Sequence, residues 1–263
     1  MNFEFSSDQM LLKDQARKFL ENEESVKKAR EVLEGDQTHD ESLWRSVVEM
    51  GWTATTIPEE FDGLGLGYLE LCVIAEELGR SLAPTPFSSS VYLATEALIN
   101  QGSKEQHQKY LSKLAAGEIV GTLAHTETTN SPSPENLNCE LNNNKLNGIK
   151  IAVTDGDVAN FAVVSAKEGD KVVLVLVDLS AKGVEITSQN TLDPSRSHAS
   201  IKFKDADAEI LGSSQDGWTA LQEILDRAAV LFAFEQLGGA EACMNMAKEY
   251  AMGRFAFGRP IAS

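Results

Sequence analysis

Apolar residues recur along the chain with two different periods, and the period changes twice. Over roughly the first 117 residues they return every three or four positions, the spacing of helices with one buried face. Leu12, Ala16, Phe19 and Leu20 form such a stripe, and "SSDQ" ahead of them offers Ser6 as an N-cap with Gln9 reaching back, a capping box. Leu43, Val47 and Met50 form a second stripe in "DESLWRSVVEMG", with Gly51 as its stop. "YLELCVIAEELG" reads as a third helix closed by Gly79, and the two prolines of "LAPTP" forbid its continuation. "VYLATEALINQG" and "SKEQHQKYLSKLAAG" complete the helical set, the latter with a Ser103–Gln106 capping box. Between the second and third helices, Gly63, Gly65 and Gly67 alternate in "IPEEFDGLGLG". Without a preceding strand they read as a structural loop rather than a phosphate cradle.

From about residue 118 to 212 the period shortens. "EIVGTLAHT" is β-rich, and "CELNNNKLNGIKIAVT" sets two extended runs around an Asn-rich turn, where Asn tolerates positive φ. "FAVVSA" and "KVVLVLVD" form another hairpin around Gly169, and "GVEITS" and "ASIKFKDA" add two more strands. Six or seven short strands with no long helix between them predict an antiparallel β-barrel or sandwich. Helical spacing then returns for the 37 residues 218–254, about 55 Å of unbroken helix. Trp218, Leu221, Leu225 and Phe232 mark one side of it, and Ile224, Leu231 and Phe234 mark others, so it needs neighbours on more than one face. Gly238–Gly239 in its middle signal a kink or a close backbone contact. The expected architecture is α+β and multi-domain: an all-α domain over 1–117, the β-domain over 118–212, and over 213–263 the start of a C-terminal helical bundle.

Composition narrows the functional classes. A net charge of −17 on 263 residues opposes binding to nucleic acid or an anionic membrane surface. No stretch of 18 apolar residues predicts a membrane span, and the acidic "MNFEFSSDQM" is unlike a signal peptide. Cys72, Cys139 and Cys243 are far apart and the four histidines lack ligand spacing, so free thiols in a reducing cytoplasm and no metal site are expected.

The order helical domain, β-domain, long helix resembles the acyl-CoA dehydrogenase family. "IPEEFDGLGLG" with "EELGRSLAPTP" is similar to that family's N-terminal helical domain. "LAHTE" at 123–127 resembles its flavin-contacting Thr-Glu strand, and "LNGIKIAVTDGDVANFAVV" at 146–164 its Asn-Gly-x-Lys hairpin. "GRFAFGRPI" at 253–261 resembles its Arg-x-x-Phe-Gly turn. The resemblance covers the whole chain in order. It implies FAD, an acyl-CoA substrate desaturated to the 2-enoyl-CoA in fatty-acid or steroid side-chain β-oxidation, and electron-transfer flavoprotein as acceptor. It also implies a homo- or hetero-oligomer in which two subunits share each flavin. In that frame Arg254 reaches the nucleotide half of FAD held mainly by a neighbouring subunit, Phe257 packs on the adenine, and Ile261 adds an apolar wall. The main chain at His125–Thr126 and the Thr126 hydroxyl face the N1/C2=O edge of the flavin, and Thr154 faces N5. The bland readings are that Arg254 caps its own helix and that the threonines simply fill strands.

Three departures from the pattern stand out. "TTNSPSPEN" replaces a glycine-rich loop whose serine touches the flavin phosphate, leaving Ser131 or Ser133 as substitutes beside Pro132 and Pro134. Ala152 stands where a bulky aromatic is usual. The positions of a helix-borne base and its neighbouring arginine fall on Ala228 and Ala229, while Asp226, a weak candidate base, is offset by two residues, about 200° around the helix. Glu235 is a weaker candidate still. Most members carry the base in later helices, beyond Ser263. Two roles stay open: a piece of a longer dehydrogenase, or a non-catalytic subunit that completes a partner's flavin site. An acyl-CoA oxidase is a third, weaker idea.

Overall fold

The structure, a computed structural model, describes residues 4–213 and 216–262. The helical set comprises α1 (Ser7–Asn22), α2 (Ser25–Glu34), α3 (Glu41–Glu49), α4 (Tyr68–Arg80), α5 (Glu96–Gln101) and α6 (Lys104–Ala115). The Ser6–Gln9 and Ser103–Gln106 capping boxes are both present, and Gly51 follows α3 with φ 75°. α2 has no counterpart in the hydrophobic pattern. It starts at Glu24, in the left-handed region at φ 52° and without a side-chain cap, so the usual N-terminal signal is missing. A π-helical segment, Ser88–Thr95, buried throughout, runs directly into α5.

α4 corrects the expectation for Gly79. The helix continues through this residue to Arg80. A Cβ on Gly79 would lie 2.0 Å from the carbonyl oxygen of Glu235. That carbonyl belongs to the last helix, α7 (Gly217–Gly253), which is unbroken over 37 residues. Reciprocally, a Cβ on Gly238 would lie 1.9 Å from the Glu76 carbonyl oxygen. Gly79 and Gly238 are therefore the paired small residues of a backbone-to-backbone helix crossing, which explains a glycine in mid-helix without any kink. Ion pairs reinforce this layer. Buried Glu77 takes both Arg17 of α1, at 2.8 Å, and Arg80, at 3.1 Å, and Arg80 also pairs with Glu241 of α7.

The β-layer holds eight strands: β1 (Gly121–Ala124), β2 (Glu140–Asn142), β3 (Lys145–Thr154), β4 (Phe161–Glu168), β5 (Lys171–Asp178), β6 (Val184–Ser188), β7 (His198–Asp207) and β8 (Glu209–Ile210). Their order is β6-β7-β3-β2-β4-β5-β8, with β1 also on β4. Asn143 and Asn144, at φ 50° and 59°, turn the β2–β3 hairpin as their side chains allow. The sheet is a curled mixed sheet rather than a purely antiparallel one. β1 and β2 both run parallel to β4, because long connections separate them from it and permit the crossover that adjacent hairpin strands cannot make. One apolar core runs from Ala16 and Leu20 in α1 through the sheet to Ile224 and Leu231 in α7.

Beyond α7 the chain folds into a short hairpin, β9 (Phe255–Ala256) with β10 (Arg259–Pro260). Its turn residues Phe257 and Gly258 have φ 52° and 82°, so both central positions are left-handed. Among the described residues no helix is long and apolar enough to cross a membrane, and no cluster of His, Cys, Asp or Glu could hold a metal ion.

Candidate functional site

The end of β1 and the second half of β3 lie side by side. The Ile151 N–H donates to the Thr126 carbonyl at 2.8 Å, and the buried Thr122 hydroxyl donates to the Thr154 carbonyl at 2.6 Å. These two bonds bring His125, Thr126 and Thr154 into one patch. Thr126 and Thr154 are both half-buried, and the Thr154 hydroxyl lies 3.4 Å from His198 Nε2. Burial, with help from the Lys150 charge, pushes the His125 imidazole down to about 4. Its ring is therefore neutral near pH 7, and its buried Nδ1 has no hydrogen-bond partner among the described residues.

Between these residues the β3–β7 register slips, with no pairing between Lys150 and Val153, and Ala152 takes φ 50° in the bulge. The Ala152 N–H donates to Gln189 Oε1 at 2.8 Å. A polar side chain from the β6–β7 loop thus stands against the position where the family pattern has a large ring.

Beneath the patch lies a pair that joins the two β-domain motifs, the Glu of the Thr-Glu strand and the Lys of the Asn-Gly-x-Lys hairpin. Lys150 is fully buried, and its Nζ donates to Glu127 at 2.8 Å and to the Ser165 hydroxyl at 3.0 Å. Burial holds the lysine below its usual range, and the hydrogen bond and charge of Glu127 only partly offset that. The Glu127 carboxyl is held below its usual range: Lys150 and the Asn138 and Cys139 amides outweigh the opposing effect of burial. The visible signal was a lysine at an inward position of a strand whose neighbour Ile149 faces out.

A second polar cluster joins the sheet to the helices. The Arg196 guanidinium donates to Glu235 of α7 at 2.5 Å and to the Ser88 hydroxyl at 3.0 Å. Asp155, next to Thr154, accepts from Ser89 Oγ at 2.6 Å, and burial pushes its carboxyl up to about 6. A cleft lined by Leu78, Leu82, Arg196, Phe232 and Gln236 opens beside this cluster.

The remaining predicted residues stand elsewhere. Arg254, Phe257 and Ile261 are all exposed on the terminal hairpin. The Arg254 side chain makes no hydrogen bond or ion pair among the described residues; its backbone N–H, not its guanidinium, continues the helix bonding, to Tyr250 O at 2.8 Å. Sixteen residues of helix separate Gly238 from Arg254, about 24 Å at 1.5 Å per residue. The structure gathers His125, Thr126 and Thr154 in the sheet and puts Arg254, Phe257 and Ile261 on the exposed hairpin that follows α7. Asp226 is exposed on α7, whereas Ala228, at the expected base position, is buried. The offset of about 200° thus puts Asp226 on the exposed side of α7 and Ala228 on the buried side. Glu235, two turns beyond Ala228, is buried but already engaged by Arg196.

With this geometry in view, the likeness to known proteins is consistent from end to end. The family profile "Acyl-CoA dehydrogenase, N-terminal domain" matches residues 6–118, and "Acyl-CoA dehydrogenase, C-terminal domain" matches residues 215–263. The acyl-CoA dehydrogenase IpdE2 of Mycolicibacterium smegmatis is 30% identical over 261 residues, covering 98% of this chain and 69% of its own. The mitochondrial isovaleryl-CoA dehydrogenase of Solanum tuberosum is 30% identical over 240 residues, covering 84% of this chain and 58% of its own. The solved ChsE4-ChsE5 complex from Mycobacterium tuberculosis superposes with a TM-score of 0.87 at 25% identity, covering all of this chain and 71% of the solved one. The chain thus spans between 58% and 71% of these relatives' lengths. Two matched domains in order, a relative at 30% identity along nearly the whole chain and a shared fold place this protein in the acyl-CoA dehydrogenase family.

Proposed function

We propose that the chain forms the N-terminal helical domain, the β-domain and the first long helix of an FAD-dependent oxidoreductase. Its substrate is an acyl-CoA thioester, its product the 2-enoyl-CoA, and its electron acceptor an electron-transfer flavoprotein in the cytoplasm. The observation that carries this reading is the division of the site residues. The Thr126–Thr154 patch belongs to the sheet, whereas Arg254 sits on an exposed hairpin beyond the long helix α7, a division that suits a cofactor shared between subunits. The β patch fits one edge of a flavin. It offers two threonine hydroxyls and, in neutral His125, an unpartnered buried nitrogen. Bound FAD would supply hydride acceptance from the β-carbon. The Thr126 hydroxyl and the main chain at His125–Thr126 would donate to the N1/C2=O edge, where negative charge gathers. Thr154 would hold the N5 side, and the Arg254 guanidinium would make charge-assisted hydrogen bonds to phosphate on a neighbouring subunit's cofactor.

The purified assembly is expected to absorb near 450 nm, and anaerobic acyl-CoA is expected to bleach that band. Reoxidation by molecular oxygen would indicate an oxidase instead. In the assembled oligomer Arg254→Ala lowers flavin occupancy; full flavin content in that variant would make the hairpin purely structural.

A second reading is favoured by specific observations. Ala152 in its bulge, Gln189 against it, and exposed Asp226 beside buried Ala228 all depart from a catalytic arrangement. They suit a non-catalytic subunit of a hetero-oligomer that completes a partner's flavin site. Flavin that is present but not bleached by any acyl-CoA, unless a second chain is added, would establish that role.

A further inference from the structure

The Glu127–Lys150 pair is buried beyond what an ion pair needs for its own stability: 8% of the glutamate side chain and none of the lysine side chain is exposed. Buried pairs of this kind are roughly neutral for folding, because desolvation cancels most of the attraction. Their position then asks for another explanation. Glu127 directly follows Thr126, and Lys150 precedes Ile151, whose N–H bonds Thr126. Both threonines assigned to the flavin edge are thus within four residues of the pair.

The carboxylate does more than neutralise the lysine. Its Oε2 accepts from the Asn138 N–H at 2.6 Å and from Asn138 Nδ2 at 3.2 Å, and its Oε1 accepts from the Cys139 N–H at 3.0 Å. Glu127 therefore ties the start of the 128–137 segment to its end. That segment contains Pro132 and Pro134, which lack N–H donors, and among the described residues no backbone hydrogen bond joins its two ends. A single side chain closes it instead, and Lys150, anchored to Ser165 on β4, fixes that side chain from below. A narrow crevice on this segment is lined by His125, Glu127, Asn130, Ser131 and Ser133.

We infer that Glu127 and Lys150 are positioning residues for the cofactor: the pair closes the proline-bearing 128–137 loop and holds Thr126 and Thr154 in the register that a flavin edge requires. This rests on the flavin-site reading proposed above. It requires neither residue to touch the cofactor.

The test uses the full assembly, with Lys150→Met and the double variant Lys150→Met/Glu127→Gln. The single variant strands a buried carboxylate and is expected to fold poorly. The double variant removes both charges and leaves an amide facing Asn138 and Cys139. Its FAD-free form is expected to melt within about 4 °C of the unaltered protein. Its amide exchange over 128–139 is expected to rise at least about tenfold, and its dissociation constant for FAD to weaken by at least about tenfold. A merely structural pair would move the melting temperature and leave both other readouts unchanged. The inference is overturned if the double variant keeps a protected loop and unaltered FAD affinity. If the unaltered assembly binds no FAD while its loop loses protection in the double variant, the flavin reading fails and the loop closure stands.

Discussion

α7 is one continuous helix with two unlike halves. Its buried residues, from Gly217 through Ala220, Leu221, Ile224, Ala228, Leu231 and Glu235 to Gly238, all lie in the first part. Past the glycine crossing the side chains are no less apolar, yet Met244, Met246, Tyr250 and Met252 face solvent. Val230, Leu237 and Met244 extend this exposed surface along one face at seven-residue spacing. Composition is similar throughout; what differs is that α4, β5 and the polar loop around Arg196 cover the first half. An apolar helix surface is thus a demand for partners, and the described residues leave that demand unmet in the second half.

The largest test of this contrast is at Gly238. A valine there meets the Glu76 carbonyl, and neither backbone can yield without separating α4 from α7. The variant is expected to lose more than about 4 kcal/mol in denaturant unfolding; a loss below 1 would mean that the crossing is not a tight contact.

Next in size is the polar part of the cover. Asp155 holds its proton to about pH 6, well above its unfolded value of 3.8, so its contribution to stability falls as pH rises across that window. His125, lowered from 6.5 to about 4, contributes the opposite slope, because the unfolded chain takes up the proton that the folded chain refuses. Each is worth about 3 kcal/mol, and they nearly cancel. Asp155→Asn removes one arm, so unfolding free energy should climb by about 3 kcal/mol from pH 4 to pH 6.5. A flat profile in that variant would show that His125 is not refusing its proton.

The exposed face responds to a milder change. Leu237→Lys with Met244→Lys is expected to alter stability by less than about 0.5 kcal/mol. It should nevertheless reduce the mass measured by light scattering. A monodisperse monomer before substitution would remove the basis for association through this face. Smallest of all is Gly253→Ala, where a Cβ meets nothing within 4 Å. Helix propensity alone then acts, in the stabilising direction and by at most about 1 kcal/mol. Glycine replacement should thus have opposite signs in the two halves.

The parts of this fold legible in the sequence were those decided locally. Ser6 with Gln9, Gly51 after Met50, and Asn143–Asn144 act on their own turn of chain, and each performs the expected task. Gly79 was misread because its environment lies on α7, more than 150 residues away, and a helix-stop glycine looks the same as a packing glycine. The parallel placement of β1 against β4 likewise depends on a long crossover that strand periodicity does not encode. At the candidate site, motif order singled out Thr126, Thr154 and Arg254. Lys150 was visible only as one position of a hairpin motif, and Arg196 and Asp155 acquire meaning only from the partners that folding brings to them; Asp226 stands exposed on α7.

The glycine crossing also makes α7 a lever. Its fulcrum is two touching backbones, and its free arm runs about 24 Å to Arg254. Over such an arm each degree of tilt moves the guanidinium by about 0.4 Å, so five degrees displaces it by about 2 Å, more than the phosphate hydrogen bonds proposed for it would tolerate. Accuracy at the tip is therefore set by the stiffness of a contact far from it, and flexible side chains at that crossing would have blurred the aim.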